Sequence, residues 1–555
     1  MGSAFGPIAQ RLEQGTHNPL VPGSNPGGPN HSTLELPNAN LLRPVGRSLR
    51  IAVEIAILSG LILSTRCANF ADVFVNGQIY FVDSDCYARM TRARMVAEHP
   101  GLVVRRHNFE NFPAGIVPHT TAPLDYLIAV LSWSLSRWTA QPLDLAGAIV
   151  SPLLALAGGW FLCWWSRCLR GPGRFAALIV YALSAILGHG TALGRPDHQS
   201  LLILALLIAL AAEWTLQERA SRGWGVVSGL SWGLALWVSL YEPLILLGGL
   251  VLFSAADRWS KLTAPPRRPG WFVFLGVVLL AALVERRWPE WPGSQPFFAS
   301  WSSTIGELRP VSLTNPIWFD WGGGMILLAP FLLVLAWRRG QLRGVFAALL
   351  LLTFCLTLWE ARWGYFLVIV FLFTLPAQLA VVRQEWLAGG ALALLLFPLL
   401  HFWETQFWPT EQLRIRRAQD RTEAAQWRDA ASALRQEPSA SVLAPWWLSP
   451  ETAYWSGQPL VAGSSHESLP GIVASARFFV ATSADEAETI LRQHKVGWVF
   501  ASDGERTVEN SAAILGGAVP ARALGRVLDQ FPSQAPLFLV LDRQNGACKV
   551  YRVRN

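Results

Sequence analysis

The chain has 555 residues, of which 52% are hydrophobic and 15% are charged, and its net charge is +8. Apolar residues in long blocks over such a length exclude an ordinary soluble protein and indicate a polytopic membrane protein. The basic charge does not indicate nucleic-acid binding, because the arginines cluster at the ends of the apolar blocks, where they set membrane topology. The six cysteines are scattered, with neither a metal-ligand nor a disulfide-framework spacing.

Residues 1–47 form a separate segment, rich in proline, glycine and asparagine over its first 40 residues and without periodicity. We predict that this segment is either disordered or spurious, because part of it resembles translated non-coding sequence from upstream of a gene. We also predict no cleavable signal peptide in this segment.

The apolar residues that follow fall into blocks near or somewhat below the roughly 20 residues that span a bilayer as a helix. They predict a polytopic α-helical membrane protein with about 11 to 13 spans. A shorter block at 124–136 is broken by serine and leaves the number of spans open. The longer blocks lie at about 49–65, 145–165, 174–191, 198–216, 224–240, 242–256, 271–285, 318–336, 343–359, 363–382 and 386–404.

The charges of the connecting loops favour one topology. If 124–136 does not span, every second loop is basic, which is the positive-inside pattern and places the N-terminus in the cytoplasm. We therefore predict that 124–136 is an interfacial or re-entrant helix inside a long first external loop, 66–144. If it spanned, the acids of that loop would lie across the membrane from the other acidic loops. The basic residues of the pattern include Arg43, Arg47, Arg170, Arg258, Lys261 and Arg383.

Residues 405–555 are more polar and, by the same topology, lie on the external, periplasmic side of the cell membrane. A polar helix is predicted over 411–436, and Ser483 followed by two acids is typical of a helix N-cap. Short β-like runs alternate with helical ones, which predicts an α/β soluble domain. The predicted strands lie at 442–443, 460–461, 478–480, 498–500, 538–541 and 550–553.

Three acidic clusters lie in the predicted external loops. They are Asp83 with Asp85, Asp197 followed by His198, and Glu307. Carboxylate oxygens are the ligands that hard divalent cations prefer, so we predict that the three loops meet at one metal site. Taken alone, each cluster has a simpler explanation: solvated loop acids, a helix cap, and an ion pair with a nearby arginine.

Two other features are candidates for binding groups outside the bilayer. Arg362 begins a late span, where a guanidinium can bind a phosphate through two hydrogen bonds. Its alternative role is an ion pair with Glu360 at the interface. Trp446 and Trp447 lie at a strand end in the C-terminal segment, where adjacent tryptophans belong either to a core or to a binding platform.

In order and topology, these motifs resemble those of the bacterial and archaeal single-subunit oligosaccharyltransferases, which have a C-type glycosyltransferase (GT-C) fold. In that family an external-loop aspartate stands six residues before an arginine, as Asp83 stands before Arg89. A second loop carries a Gly-x-x-Asp-x-(Glu/His) motif, similar to residues 194–199, and a later loop carries Thr-Ile-x-Glu, as at 304–307. The resemblance covers about residues 48–555, with a GT-C-like transmembrane domain over 48–404 and an external domain over 405–555.

The resemblance implies a membrane glycosyltransferase that moves a glycan from a polyprenyl-phosphate or -diphosphate carrier to a protein or other acceptor on the external face. Mg²⁺ or Mn²⁺ would be held by Asp83, Asp197 and Glu307, with His198 as a further ligand. Asp83 and Glu307 would also act catalytically by polarising the acceptor. Arg362 would bind the carrier phosphate, and the tryptophan pair the acceptor. Candidates of second rank are Asp85, Arg89 and Gln199.

Two residues depart from the family pattern. Gln199 stands where the family has a Glu or His ligand, and Leu448 stands where it has the aspartate of Trp-Trp-Asp, which reads the hydroxyl of a glycosylation sequon. Leucine accepts no hydrogen bond, so a transferase acting on a hydroxyl, lipid or glycan acceptor is the alternative. An alternative function outside the enzymes is a transporter or flippase of lipid-linked sugars. The near absence of charges within the spans disfavours it.

Overall fold

The computed structural model of the protein describes residues 44–169, 171–287, 292–382 and 384–554. The predicted disordered or spurious segment lies outside the described residues up to residue 43, and Pro44 already belongs to the first helix. Among the predicted topology residues, those outside the described backbone or side chains are Arg43, Arg47, Arg170, Arg258, Lys261 and Arg383.

Helices dominate the chain up to residue 407. Their bounds are α1 (Pro44–Arg66), α2 (Phe70–Val73), α3 (Ser84–Glu98), α4 (Ala122–Leu135), α5 (Pro142–Trp165), α6 (Gly171–Leu183), α7 (Ala185–Gly190), α8 (His198–Glu218), α9 (Arg222–Val238), α10 (Tyr241–Leu262), α11 (Arg268–Glu285), α12 (Phe298–Ser302), α13 (Ile317–Gly322), α14 (Met325–Arg338), α15 (Gly344–Trp359), α16 (Gly364–Ala380) and α17 (Glu385–Phe407).

Within the described parts of the chain, six helical stretches are long and apolar enough to cross a membrane, so this is a multi-pass membrane protein. Helices α8 and α16 are apolar on nearly every face and lie at the centre of the bundle, where other helices cover them. The six stretches are Ser48–Arg66, Pro142–Cys168, His198–Glu218, Arg268–Glu285, Ala361–Ala380 and Glu385–Phe407.

The predicted span at 318–336 is divided into α13 and α14. Gly323 separates them with a φ of +64°, in the left-handed region that favours glycine. A Cβ on this residue would lie 2.2 Å from the carbonyl oxygen of Leu395 in α17. The break therefore allows the two backbones to approach closely, and a side chain at this position is not tolerated.

The block at 124–136 forms helix α4, as predicted. Its 14 residues extend about 21 Å, short of the roughly 30 Å hydrocarbon core. The N–H of Ala122 donates to Glu285 at the end of α11, and Gln141 beyond the other end of α4 donates to the carbonyl of Gly77. Because Gly77 lies in the loop that leads to Asp83, the segment that follows α4 lies beside that loop.

A short hairpin of β1 (Phe74–Val75) and β2 (Gln78–Ile79) precedes Asp83 and ties the first loop to the segment before α8. The N–H of Val82 donates to the carbonyl of Gly194 at 2.9 Å. Gly194 has a φ of +71°, and a Cβ there would lie 2.7 Å from the side chain of Val73. This close approach places Asp83 beside the loop that contains Asp197.

The C-terminal segment begins with a long polar helix and contains an α/β unit, as predicted. Strands β3, β4, β6 and β5 form one sheet in that order; β3 and β4 are parallel, and the other pairs are antiparallel. The bounds are α18 (Glu411–Ser432), β3 (Ser441–Leu443), α19 (Ser449–Ser456), α20 (Leu469–Val480), α21 (Ala484–Gln493), β4 (Val496–Ala501), α22 (Gly504–Leu515), α23 (Leu524–Gln530), β5 (Leu539–Asn545) and β6 (Cys548–Val553).

The prediction of a strand at 478–480 is wrong. These residues form the last turn of α20, where Phe478 and Phe479 are buried in the core of the domain. Their aromatic and branched side chains favour a strand locally, but burial within a continuing helix outweighs that preference. The predicted N-cap is confirmed, because the hydroxyl of Ser483 accepts the N–H of Glu486.

Aromatic side chains join the first loop to the C-terminal domain. Phe81 and Tyr87 pack against Tyr454 with ring centroids 5.8 and 5.7 Å apart. The guanidinium of Arg94 stacks 4.0 Å from the ring of Tyr454 and donates to its carbonyl. The α/β domain is therefore packed directly against α3, the helix that Asp83 begins.

Candidate active site

Asp83 is the N-cap of helix α3. Its Oδ1 accepts the N–H of Cys86 at 3.1 Å, which fixes the carboxylate at the start of the helix. The other oxygen, Oδ2, accepts a hydrogen bond from Arg195 at 2.7 Å. The side chain is 35% exposed, so one side of this carboxylate remains accessible to a ligand.

Arg195 lies at the point where the acidic loops meet. Its Nη1 donates to Asp83, and its Nη2 donates to Glu307 Oε1 at 2.9 Å and lies 3.8 Å from Asp197 Oδ2. Nη2 also lies 3.3 Å from the amide oxygen of Gln199. The side chain is buried, so the guanidinium is an internal cation shared by three carboxylates.

Asp197 begins helix α8 and is buried. Its Oδ1 accepts both the backbone N–H and the Nδ1 of His198, each at 2.6 Å. Burial acts to raise the pKa of this carboxyl, but His198 and Arg195 outweigh it and hold the pKa well below its usual range. Asp197 is therefore ionised at any physiological pH.

Glu307 lies on a single helical turn, Gly306–Leu308, in the loop between α12 and α13. Its Oε2 accepts the side-chain amide of Gln199 at 3.2 Å. Partial burial acts to raise its pKa, and Arg195 more than offsets this and lowers it. The three acids predicted to converge are thus brought together, with Gln199 as a bridge between Arg195 and Glu307.

The sequence matches no family model and no curated protein. Among solved structures, the archaeal oligosaccharyltransferase AglB from Archaeoglobus fulgidus, in complex with an inhibitory peptide and a dolichol-phosphate, aligns with a TM-score of 0.65 at 14% identity, over 85% of this chain and 71% of that one. The A. fulgidus oligosaccharyltransferase in complex with Zn and sulfate aligns with a TM-score of 0.59 at 14% identity, over 83% and 70% of the two chains. The chain has the oligosaccharyltransferase fold.

A second neighbour shows how broadly this fold is shared. ArnT from Cupriavidus metallidurans, bound to undecaprenyl phosphate, aligns with a TM-score of 0.54 at 13% identity, over 92% of this chain and 98% of that one. The predicted fold class, GT-C-like membrane helices followed by an α/β soluble domain, is therefore confirmed. At these identities the likeness concerns the fold, and the chemistry has to be argued from this chain's own residues.

Within the oligosaccharyltransferase fold, the three acids are the donor set that Mg²⁺ or Mn²⁺ prefers, but their oxygens are already engaged. Each of the six oxygens has a protein partner at 3.8 Å or less. A divalent ion about 4 Å from a guanidinium is repelled by about 8 kcal/mol at an effective dielectric constant of 20. With Arg195 in this position, the residues do not fit a divalent ion.

Arg362 lies beside the loop of Glu307, because the N–H of Ala361 donates to the carbonyl of Arg309. Its Nη2 is paired with the buried Glu242 of α10 at 3.1 Å, and not with Glu360 as the simpler alternative predicted. The side chain is 28% exposed, which leaves part of the guanidinium accessible. A partly exposed guanidinium of this kind suits an anion.

Trp446 and Trp447 contact the segments next to two of the acids, Glu307 and Asp83. Trp446 packs against Trp301, just before the Glu307 loop, with ring centroids 5.9 Å apart, and its indole donates to Asn510 at 2.8 Å. The carbonyl of Trp447 accepts the hydroxyl of Ser84, the neighbour of Asp83. Leu448 is half-buried against the core at the start of α19. The C-terminal domain thus forms one wall of the site.

Two of the second-rank candidates, Arg89 and Asp85, are not among the hydrogen-bond or ion-pair partners that Arg195 has in the described residues. Arg89 forms a buried ion pair with Asp125 of α4 at 2.7 Å, so its role is to hold α3 against α4. Asp85 lines a cavity of about 30 Å³, room for a water molecule, together with Glu110, His119 and His198. Gln199, by contrast, contacts both Arg195 and Glu307 and belongs to the site.

A further group of ligand-type side chains adjoins this cavity. His119, His466 and Glu467 offer atoms that lie within 4.8 Å of one another, and the imidazole and carboxylate ligands are those of zinc sites. Glu467 also accepts the Nδ1 of His119 at 2.7 Å. This group, unlike the acids around Arg195, suits a divalent metal, and it joins the first loop to the C-terminal domain.

Sequence reasoning missed three side chains of the site. Arg195 stands within the second motif but had no role, and His189 and Tyr365 were not considered. The Nε2 of His189 lies 3.2 Å from Arg195 Nη1, and its Nδ1 lies 2.7 Å from the hydroxyl of Tyr365. His189 therefore contacts the guanidinium, and Tyr365 holds His189 in place. The available signal was a lone arginine two residues before a predicted metal ligand.

Proposed function

We propose that this protein is a membrane glycosyltransferase that moves a glycan from a polyprenyl-phosphate carrier to an acceptor on the external face, most simply a protein. The observation that carries the proposal is the convergence of Asp83 and Glu307, from loops more than 200 residues apart in sequence, beside the accessible Arg362. The oligosaccharyltransferase fold supports it, because related structures bind a dolichol-phosphate and a peptide or undecaprenyl phosphate.

The acids divide by exposure, which suggests their roles. Asp197 is buried and ionised, whereas the side chains of Asp83 and Glu307 are 35% and 25% exposed. In the proposed reaction, Asp83 and Glu307 accept the N–H or O–H of the acceptor and increase the electron density on its nucleophilic atom. That atom attacks the anomeric carbon while one of the two carboxylates takes its proton, the bond from this carbon to the phosphate oxygen breaks, and the carrier phosphate leaves.

The leaving phosphate needs a cation on the membrane side of the site. Arg362 is the candidate for this role, since a guanidinium can hold two phosphate oxygens at once. The ion pair with Glu242 orients the guanidinium of Arg362. The tryptophans of the C-terminal wall are the candidates for contacting the acceptor.

Mg²⁺ or Mn²⁺ at Asp83, Asp197 and Glu307 stays a prediction of the sequence. The position of Arg195 argues against it, because the ion and the guanidinium compete for the same oxygens. The proposed location, in the cell membrane with the C-terminal domain outside, also stays a prediction and follows from the loop charges.

The proposal is tested in membranes that contain the protein and a lipid-linked sugar donor. We expect Asp83→Ala and Glu307→Ala each to lower sugar transfer to the external acceptor by at least about 100-fold, since each removes a contact made to the reacting group. Asp420→Ala, an exposed acid on α18, is the matched control and leaves transfer unchanged. Full transfer by both site variants would refute the proposal.

A second acceptor class is favoured by one residue. Leu448 offers no hydrogen-bond acceptor where sequon recognition needs one, and the similar ArnT chain is covered over nearly its whole length. A transferase for a hydroxyl, lipid or glycan acceptor is therefore the alternative. Mass spectrometry of exported proteins and of the lipid fraction separates the two, since glycosylated asparagines that disappear on deletion of the protein support the first.

A further inference from the structure

The site contains a permanent cation where its acids would otherwise hold a metal ion. Arg195 is bound by Asp83 and Glu307 at 2.7 and 2.9 Å and faces Asp197 at 3.8 Å. From this geometry we infer that Arg195 is a built-in cation, which holds the three acids together so that glycosyl transfer needs no divalent ion at these carboxylates. The statement about transfer rests on the proposed function, whereas the statement about ion binding does not.

The backbone of Arg195 is held in place by its neighbours. Its carbonyl accepts the hydroxyl of Ser151 in α5, and the preceding N–H, of Gly194, donates to the carbonyl of Ala148 in the same helix. The side chain is only 5% exposed. An arginine that is buried and anchored in this way differs from a surface arginine, which would move aside for an ion at little cost.

The side chain of Arg195 is also contacted by a histidine in addition to the acids. His189 Nε2 lies 3.2 Å from Nη1, and the hydroxyl of Tyr365 lies 2.7 Å from the other ring nitrogen of His189. The planar guanidinium thus has Asp83 and Glu307 on its two terminal nitrogens. A lysine would supply one point charge and could not bridge both acids with the same geometry.

The charges of the site suit different roles for Arg195, which binds the acids, and Arg362, which would bind the phosphate. Arg195 carries one positive charge beside three carboxylates, so the group keeps a net negative charge that suits the N–H or O–H of an acceptor. A divalent ion would remove more of that charge. The anionic leaving phosphate then depends on Arg362, which lies beside the Glu307 loop with its guanidinium partly exposed.

The first test measures ion binding alone, with Mn²⁺ as the probe and electron paramagnetic resonance of the purified full chain as the readout. We expect the Mn²⁺ binding of the wild type to be unaffected by Asp83→Asn or Glu307→Gln. We expect Arg195→Met, which keeps the bulk and removes the charge, to gain one Mn²⁺ that is lost again when Asp83→Asn is added. Any Mn²⁺ bound by His119, His466 and Glu467 is present in the wild type and in every variant, so it does not affect the differences between them.

A Mn²⁺ ion bound to the wild type and lost in both Asp83→Asn and Glu307→Gln would overturn the inference, and this result needs no Arg195 variant to fold. Wild-type binding that is unchanged in both acid variants supports it. If the ion-binding pattern is as expected but no transfer is found with any lipid-linked sugar, the proposed function fails while the assignment of Arg195 stands.

The second test uses transfer activity. We expect chelation with EDTA to change the wild-type rate by less than about twofold, and Arg195→Met to lose at least about 100-fold. Added Mn²⁺ or guanidinium is expected to restore part of the activity of Arg195→Met and none of that of Glu307→Gln, a rescue that a merely structural role would not produce. Loss of wild-type transfer on chelation, with recovery on adding Mn²⁺ and not in Glu307→Gln, would contradict the inference.

Discussion

The acidic side chains near the site differ in the cations and hydrogen-bond donors that they contact. These contacts, together with burial, determine whether each acid is ionised. Asp197 faces His198 and Arg195 and is held ionised. Glu110, in the segment between α3 and α4, is 1% exposed, and burial raises its pKa to about 7, although Arg92 and the N–H of Ser464 act to lower it. Acids close together in the fold therefore carry different charges at the same pH.

Glu110 leads to a pH-dependent stability. Because its folded-state pKa of about 7 lies above its ordinary value of 4.5, the stability it contributes is complete below 4.5 and is lost as the pH rises through 7. We expect Glu110→Gln, which cannot ionise, to match the wild type near pH 4.5 and to melt a few degrees higher above pH 7. Thermal unfolding in detergent at several pH values measures this, and a difference independent of pH would contradict it.

Arg362 leads to a prediction about the donor. A hydrogen bond to a charged group contributes about 1.5–3 kcal/mol, so we expect Arg362→Gln to lower kcat/KM for the lipid-linked sugar about 10- to 100-fold. Arg309 is the matched control, an exposed arginine in the adjoining loop whose substitution by alanine leaves kcat/KM unchanged. Equal kinetics for both variants would show that the phosphate is bound elsewhere.

For single residues of the site, the sequence predicted the three acids but not the arginine, Arg195, that binds them. Asp83, Asp197 and Glu307 stand in recognisable motifs, and loop charge placed them on one face. That Arg195 would turn inward depended on the contacts of Gly194 and Arg195 with Ala148 and Ser151 of α5, which join segments over 40 residues apart. The ion pair of Arg362 with Glu242, 120 residues away in sequence, was hidden for the same reason.

Helices α3 and α4 owe their positions to buried polar pairs as well as to apolar packing. Helices α3 and α4 are joined by Arg89 and Asp125, whose side chains are 2% and 4% exposed. Arg92 adds a second, longer contact of 3.7 Å to the same carboxylate. Since Asp83 is the N-cap of α3 and Arg89 lies six residues later in the same helix, this pair helps to fix the position of a catalytic candidate.

Removing one member of this pair leaves a buried charge with a poorer partner. We expect Arg89→Met to destabilise the protein by about 3 kcal/mol, the low end for a broken buried pair, because Arg92 remains. The double variant with Asp125→Leu is expected to lose less stability than the single one and to keep its transfer activity. Denaturation curves test the first statement, and inactivity of a folded double variant would instead give Arg89 a role in the site.

The sequence predicted most elements correctly, and its errors come from tertiary contacts that local patterns do not contain. The prediction that 124–136 does not span rested on loop charge and stays a prediction; its helix, α4, is shorter than the six stretches that are long enough to cross a membrane. The false strand at 478–480 came from β-forming side chains that tertiary packing placed in a helix. The break at Gly323 depends on a contact with Leu395 that no local pattern reveals.

For the whole molecule, the arrangement places the α/β domain over the same face of the helix bundle as the three acids. Trp446 and Trp447 contact both acidic loops, and the aromatic cluster around Tyr454 packs against α3. The site is therefore built from the bundle and the domain together. Loop charge could predict which side the domain occupies, but not that it would form a wall of the site.

This topology gives a labelling prediction. Cys168, an exposed thiol between α5 and α6, lies in a loop predicted to be cytoplasmic. We expect it to react with an impermeant maleimide only after the cells are permeabilised, whereas Asp420→Cys on α18 reacts in intact cells. Cys355, the other exposed thiol among the described residues, is first replaced by alanine. Labelling of Cys168 and not of position 420 in intact cells would reverse the orientation.

The most direct test of the central claim follows the donor rather than the acceptor. Purified protein in lipid vesicles is incubated with a polyprenyl-phosphate-linked sugar and an acceptor extract, and the free polyprenyl phosphate is measured by mass spectrometry. The account predicts its release by the wild type and its loss in the Asp83→Ala and Glu307→Ala variants. Movement of the intact lipid-linked sugar across the bilayer, with no cleavage by any variant or by the wild type, would contradict the account and identify a transporter instead.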